Sequence, residues 1–255
     1  KRSFMRAIFD GRLNVDLIHP LPEPHPDEVR RADELLKSLE VFAREHIDGD
    51  QVDRDGWVPE EVLQGLAALG AFGIKIPVKY GGLGLSQHSY NRALAIVGSR
   101  CGSTGAFLSA HQSIGVPGPL MKFGTEEQKE RYLVPAIRGE RLMAFAVTEP
   151  DAGSDVRGMK CSAVRDGGDW VVNGTKHFIS GADHADFFIV FIATGVDETP
   201  KGPKKRITCF LVEPGTRGIT IGKGEHKMGQ RGSSTNPVIF EDCRLPADAI
   251  LGKPN

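Results

Sequence analysis

The stretch Met143-Ala-Phe-Ala-Val-Thr-Glu-Pro-Asp-Ala-Gly-Ser-Asp-Val-Arg-Gly158 divides the chain and carries its most specific chemistry. Met143 to Val147 is an apolar, strand-like run that empties into Thr148, Glu149 and Pro150, then into the small-residue turn Asp151-Ala-Gly-Ser154. Gly153 has no side chain to keep a ligand away. Such a turn can therefore offer backbone N–H groups and the hydroxyls of Thr148 and Ser154 to one bound group. A polar heterocycle or a phosphate suits that arrangement. Local chemistry alone also allows, and by frequency favours, a plain β-turn after a strand.

Upstream of this stretch the hydrophobic pattern is helical. From Pro26 to Ile47 the positions Val29, Ala32, Leu35, Leu36, Leu39 and Phe42 recur at three- and four-residue steps, as a helix with one buried face requires. Pro59 opens a second helix with Val62, Leu63, Leu66 and Leu69 as its apolar stripe. Residues 86–102 and 104–115 read as further helices, and Thr125-Glu-Glu-Gln128 is a capping box that starts a helix through Ile137. Downstream the signal changes to short β-rich runs at 159–164, 169–173, 185–193, 207–212, 219–221 and 237–240. Their separators include Asp166-Gly-Gly-Asp169 and Asn173-Gly174, both favoured hairpin turns. The expectation is an α+β chain: a helical domain over 1–140, then an antiparallel β-barrel or sandwich over 141–255.

Composition narrows the function classes. The 255 residues, 40% hydrophobic, are enough to bury a core. Lys plus Arg number 32 and Asp plus Glu 33, a formal charge of −1, so no global field recruits nucleic acid or anionic lipid. The basic run Lys201-Gly-Pro-Lys-Lys-Arg206 is expected to be a solvated loop. No apolar run approaches the roughly 20 residues needed to span a bilayer. Cys101, Cys161, Cys209 and Cys243 are far apart and fit small core residues of a reduced, intracellular protein, and no histidine spacing points to a metal. Gly81-Gly-Leu-Gly84 lies among helices without the strand that a Rossmann fingerprint needs, which disfavours NAD.

A second block follows the strand at 169–173. Together, Ala146-Val-Thr-Glu-Pro-Asp-Ala-Gly-Ser-Asp155 and Asn173-Gly-Thr-Lys-His-Phe-Ile-Ser-Gly181 resemble the flavin-binding signature of the acyl-CoA dehydrogenases. Two further stretches resemble the same family: Gly73-Ile-Lys-Ile-Pro-Val-Lys-Tyr-Gly-Gly-Leu-Gly84, and Lys227-Met-Gly-Gln-Arg-Gly-Ser-Ser-Thr235 with Phe240-Glu-Asp-Cys-Arg-Leu-Pro246. Ser3 to Leu13 and Ala110-His-Gln-Ser-Ile-Gly115 look closest to its very-long-chain branch.

The resemblance implies a helical domain, a β-domain and a C-terminal four-helix domain, with FAD between the last two. The third domain has no counterpart in these residues. It also implies α,β-dehydrogenation of an acyl-CoA thioester to a trans-2-enoyl-CoA in fatty acid β-oxidation, with the flavin accepting the β-hydrogen as hydride. The base is a glutamate expected beyond Asn255, so these residues alone are expected to be inactive. Phe145, Val147, Thr148, Gly153 and Ser154 map to the flavin-facing loop, and Phe178, Ile179 and Ser180 to a Trp-Ile-Thr or Trp-Ile-Ser segment against the flavin ring. Phe178 keeps an apolar ring but lacks the indole N–H of the usual Trp; taken alone it reads as core.

Ser154, Ser234 and Thr235 map to acyl-CoA contacts, although a hydroxyl-rich turn is by itself usually only a turn. Gly105 and Ser109, one helical turn apart, either leave room for a long acyl tail or permit close helix packing. Electron-transferring flavoprotein as acceptor and a homo-oligomer are also implied, in the cytoplasm of a bacterium or the mitochondrion of a eukaryote. A non-catalytic binding or assembly subunit on the same scaffold, and an acyl-CoA oxidase, are the alternatives.

Overall fold

A computed structural model of the chain describes residues 3–20, 24–111, 117–200 and 202–254. A short helix α1 (Phe4–Phe9) precedes α2 (Pro26–His46), whose apolar positions Ala32, Leu35, Leu36, Leu39 and Ala43 are buried. An α3 (Gly49–Asp55) that hydrophobic periodicity does not announce follows, capped by the Asp48 carboxylate and ended by Gly56 at φ 72°. Helices α4 (Glu60–Ala68), α5 (Gln87–Arg100), α6 (Gly102–Ser109) and α7 (Pro117–Phe123) continue the layer. The helix predicted over 104–115 ends outside the described residues, and so do positions 112–115 of the quoted 110–115 segment. The capping box at Thr125 forms with both of its hydrogen bonds and opens α8 (Glu126–Gln128), which passes through a π-helical segment (Lys129–Leu133) into α9 (Val134–Ile137).

Seven strands make one mixed sheet among the described residues: β1 (Met143–Ala146), β2 (Ser162–Asp166), β3 (Asp169–Ser180), β4 (Phe187–Thr199), β5 (Gly202–Val212), β6 (Ile219–Ile221) and β7 (Thr235–Leu245). Their order is β1-β4-β2-β3-β7-β6, with β5 on the other edge of β4. The sheet is not purely antiparallel. β1 runs parallel to β4, Met143 opposite Phe187 through Ala146 opposite Val190, and β2 touches β4 in parallel at Ser162 and Ala193. The cause is visible in β4, where Phe187-Phe-Ile-Val190 is buried at every position. A strand covered on both faces has no polar side to alternate, as parallel pairing requires.

Two local expectations change. Asn173-Gly174 is not a hairpin turn but lies inside β3, at a register shift between Val172 and Gly174. Gly174 holds φ 136°, and a Cβ there would fall 2.6 Å from Cys161 Cα, so the glycine permits a close backbone approach, opposite an extra residue in β7, rather than a chain reversal. The basic run expected as a loop is largely strand: residues 202–206 pair with β4 from Gly195 to Thr199, and Lys201 lies outside the described residues.

Helices and sheet meet in one apolar seam. Leu120, Leu133 and Ile137 from the helical side pack with Met143, Phe187 and Ile189 from the sheet. Each such side chain taken fully from water contributes roughly 1.5–3 kcal/mol. The seam holds the open end of β1, and the loop after it, against the helical layer.

Candidate functional site

The loop after β1 is fixed from beneath. Glu149, 4% exposed, accepts hydrogen bonds from the backbone N–H groups of Lys160 and Cys161 and from Lys176 Nζ at 2.7 Å. Lys176 is fully buried and donates also to Val147 O at 3.2 Å. The reciprocal backbone bonds of Glu149 and Ala152, both 3.1 Å, close the turn above this pair. Burying a carboxylate and an amine side by side is costly unless such bonds satisfy both. Here they leave the polar groups of the loop facing outward.

The segments then converge. His177 N donates to Thr148 O at 2.8 Å, which sets Thr148 beside His177 and Phe178. Ser180 pairs with Thr235, and Gly181 N donates to Ser234 O at 2.8 Å, which sets the hydroxyl-rich turn at the far end of β3. Phe178 breaks the local rule: it is 58% exposed and holds φ 57°, a conformation that a bulky L-residue rarely adopts. The core packing suggested by Phe178 taken alone is therefore excluded. Gly153 is exposed, and nothing lies within 4 Å of where its Cβ would be. Among the described residues, the hydroxyls of Thr148, Ser154 and Ser180 engage no protein partner. An outward aromatic ring, free hydroxyls and an open glycine fit one face of a planar, polar-edged heterocycle.

Residues 30–140 match the family model described as acyl-CoA dehydrogenase, N-terminal domain, and residues 144–243 match that of the acyl-CoA dehydrogenase middle domain. The chain belongs to the acyl-CoA dehydrogenase family. It is 41% identical over 256 residues to the very long-chain specific acyl-CoA dehydrogenase, mitochondrial, of Macaca fascicularis, an alignment that covers 99% of this chain and 39% of that protein. The chain thus spans about two-fifths of the length of that curated relative. Butyryl-CoA dehydrogenase from Megasphaera elsdenii is similar in structure, with TM-score 0.80 at 33% identity over 92% of this chain and 61% of that one. A glutaryl-CoA dehydrogenase from Mycobacterium smegmatis, solved in complex with FADH2, gives 0.78 at 28% identity over 93% and 58%.

Within this acyl-CoA dehydrogenase scaffold the remaining predicted residues divide. Ile179 is buried in the sheet core, so only its backbone borders the rim. Phe145 packs edge-on against Phe191, with ring centroids 5.2 Å apart, in the helix–sheet seam. The Ser234 hydroxyl donates to Asp183, whereas Thr235 is buried and its hydroxyl reaches Ser233 O at 3.4 Å. Gly105 and Ser109 face α5: a Cβ on Gly105 would meet Gly98 Cα at 2.9 Å, and the Ser109 and Tyr90 hydroxyls lie 3.2 Å apart. Their surroundings are those of a packed helix pair.

A cavity of about 20 Å3 does open at the seam, lined by Trp57, Phe107, Ala110, His111, Met143 and Ser180 among others. That is room for about one water. His111 is the functional-site neighbour that sequence reading passed over. Its ring packs against those of Phe72 and Phe107, Nε2 is 3.1 Å from Ala136 O, and Nδ1 is buried with no partner among the described residues. Burial lowers its pKa to about 4, so the imidazole is neutral at pH 7. Lys176 was missed as well, although it continues the inward positions Trp170 and Val172 of its strand, and an inward lysine calls for a buried carboxylate.

Proposed function

We propose that the protein is an FAD-dependent acyl-CoA dehydrogenase that converts an acyl-CoA thioester to its trans-2-enoyl-CoA in fatty acid β-oxidation. Residues 1–140 and 141–255 act as its helical and β-domains, and the base that takes the α-proton stands outside them. The observation that carries this reading is the strained, outward-facing Phe178 beside the free hydroxyls of Thr148 and Ser180. FAD, when bound, supplies the hydride acceptor. The chain's own part is to orient and to polarise. Phe178 offers a ring face, and Thr148 and Ser180 donate hydrogen bonds to the polar edge, where charge grows on reduction. Gly153 lets the backbone approach, and Ser154 and Ser234 border the acyl-CoA.

A long acyl chain is the substrate favoured by the resemblance to a very long-chain specific relative. Electron-transferring flavoprotein is the proposed acceptor and a homo-oligomer the proposed assembly. The compartment is the mitochondrion if the source is eukaryotic and the cytoplasm if it is bacterial. The test is Thr148→Ala and Ser180→Ala in the flavin-loaded whole protein. Each change is expected to remove about 0.5–1.5 kcal/mol, more where charge develops, and to slow flavin reduction by acyl-CoA. Unchanged reduction rate and potential in both variants would make these positions ordinary turn residues.

A further inference from the structure

In a regular strand the side chains of His177 and Phe178 would point to opposite faces of the sheet. They do not here. Lys176 pairs with Val238 but Ile179 with Asn236, so three steps along β3 oppose two along β7 and one residue is extra. The positive φ of Phe178 falls at this bulge and brings the two rings together edge to face, with centroids 4.1 Å apart and planes at 73°. Bulges commonly re-aim a side chain beside a functional site.

His177 itself has two neighbours that bear on its placement. Its backbone N–H is bound to Thr148 O, and its Nε2 lies 3.4 Å from Glu225 Oε1. Glu225 is fixed in turn by its own N–H, which donates to Thr235 O at 2.8 Å. An exposed aromatic in a strained conformation persists only where its surroundings over-determine it. Among the described residues, the His177 ring is the aromatic ring that the Phe178 ring meets.

We infer that His177, anchored by Glu225, is a positioning residue that holds the ring of Phe178 against the bound flavin. The inference rests on the reading that Phe178 faces the flavin. Of the two neighbours, His177 touches Phe178 and Glu225 acts through His177. Loss of the His177 ring would free the Phe178 side chain to swing into solvent while the Glu149–Lys176 support beneath stays whole.

The test is a cycle of His177→Ala, Phe178→Ala and the double variant in the flavin-loaded whole protein, read as flavin dissociation constant, oxidised-flavin absorption spectrum and melting temperature of the flavin-free form. His177→Ala should weaken flavin binding about three- to tenfold, the range an edge-to-face aromatic contact supports, and should shift the spectrum while the flavin-free melting temperature changes little. Added to Phe178→Ala it should weaken binding no further. His177→Phe, which keeps a ring, should recover affinity to within about twofold of the wild type, and Glu225→Ala should fall between wild type and His177→Ala. If Phe178→Ala leaves flavin affinity and spectrum unchanged, the flavin-facing reading fails and this inference with it. If Phe178→Ala weakens binding but His177→Ala does not, or the two effects simply add, the flavin-facing reading stands and the positioning role is overturned.

Discussion

Phe178 shows what a single residue adds to a motif. In the sequence its ring is indistinguishable from a core aromatic, since nothing in Lys176-His-Phe-Ile179 announces a left-handed residue; the β3–β7 register shift creates that conformation. The Glu149–Lys176 pair is different, because Lys176 is readable as an inward position once the strand is extended to Ser180, and a buried lysine calls for a carboxylate such as Glu149. Lys176→Met should leave the Glu149 carboxylate buried against two N–H groups and cost about 3–5 kcal/mol in urea unfolding. Adding Glu149→Gln should restore part of that loss, and a change below about 1 kcal/mol in the single variant would mean that water replaces the ammonium. His111 carries a pH dependence of definite sign. Its folded pKa of about 4 lies below the ordinary 6.5, so the unfolded chain binds the proton more readily. Its contribution is whole above pH 6.5 and is lost as the pH falls from 6.5 towards 4, on the order of 2 kcal/mol by pH 5. Unfolding midpoints at pH 7 and pH 5 should therefore separate more in the wild type than in His111→Gln; equal separation would contradict a buried neutral imidazole.

Among the elements, those fixed by near-neighbour chemistry are legible in sequence. The Pro26–His46 helix and the Thr125 capping box follow from periodicity and from side chains three residues apart. What sequence hides are features made by distant partners: the parallel pairing of β1 with β4, and Gly174 pressed on Cys161 opposite a bulge in β7. Asn-Gly reads as a hairpin turn until another strand crosses it. The α5–α6 contact is the clearest case for function, because Gly105 was equally consistent with a cavity wall. Gly105→Gln would set a Cβ 2.9 Å from Gly98 Cα and force the helices apart. We expect a net loss of about 1–3 kcal/mol despite the roughly 1 kcal/mol helix-propensity gain from replacing glycine. Activity should then fall alike at every acyl length, whereas a selective loss of long substrates in a variant of unchanged stability would return Gly105 to the acyl cavity.

For the whole molecule, a helical layer and a mixed sheet share an apolar seam, and Thr148, Gly153, Phe178 and Ser180 lie on one rim of that sheet. The rim was the most legible part of the site, since Thr148, Gly153, Ser154 and Ser180 could be named from two short motifs. The inward turn of Ile179 and Thr235 was not, because burial is decided by what packs on the strand from elsewhere. On the proposed reading the rim offers one face to the flavin, with groups that match it in type: a ring face, donors and an open backbone. The most direct measurement is an anaerobic titration of the purified whole protein with a long-chain acyl-CoA, followed by the visible absorbance of its flavin. The account predicts a yellow protein whose flavin band is bleached by the acyl-CoA, with trans-2-enoyl-CoA formed in step. A protein that binds no flavin, or whose bound flavin stays oxidised with acyl-CoAs of every length, would contradict it.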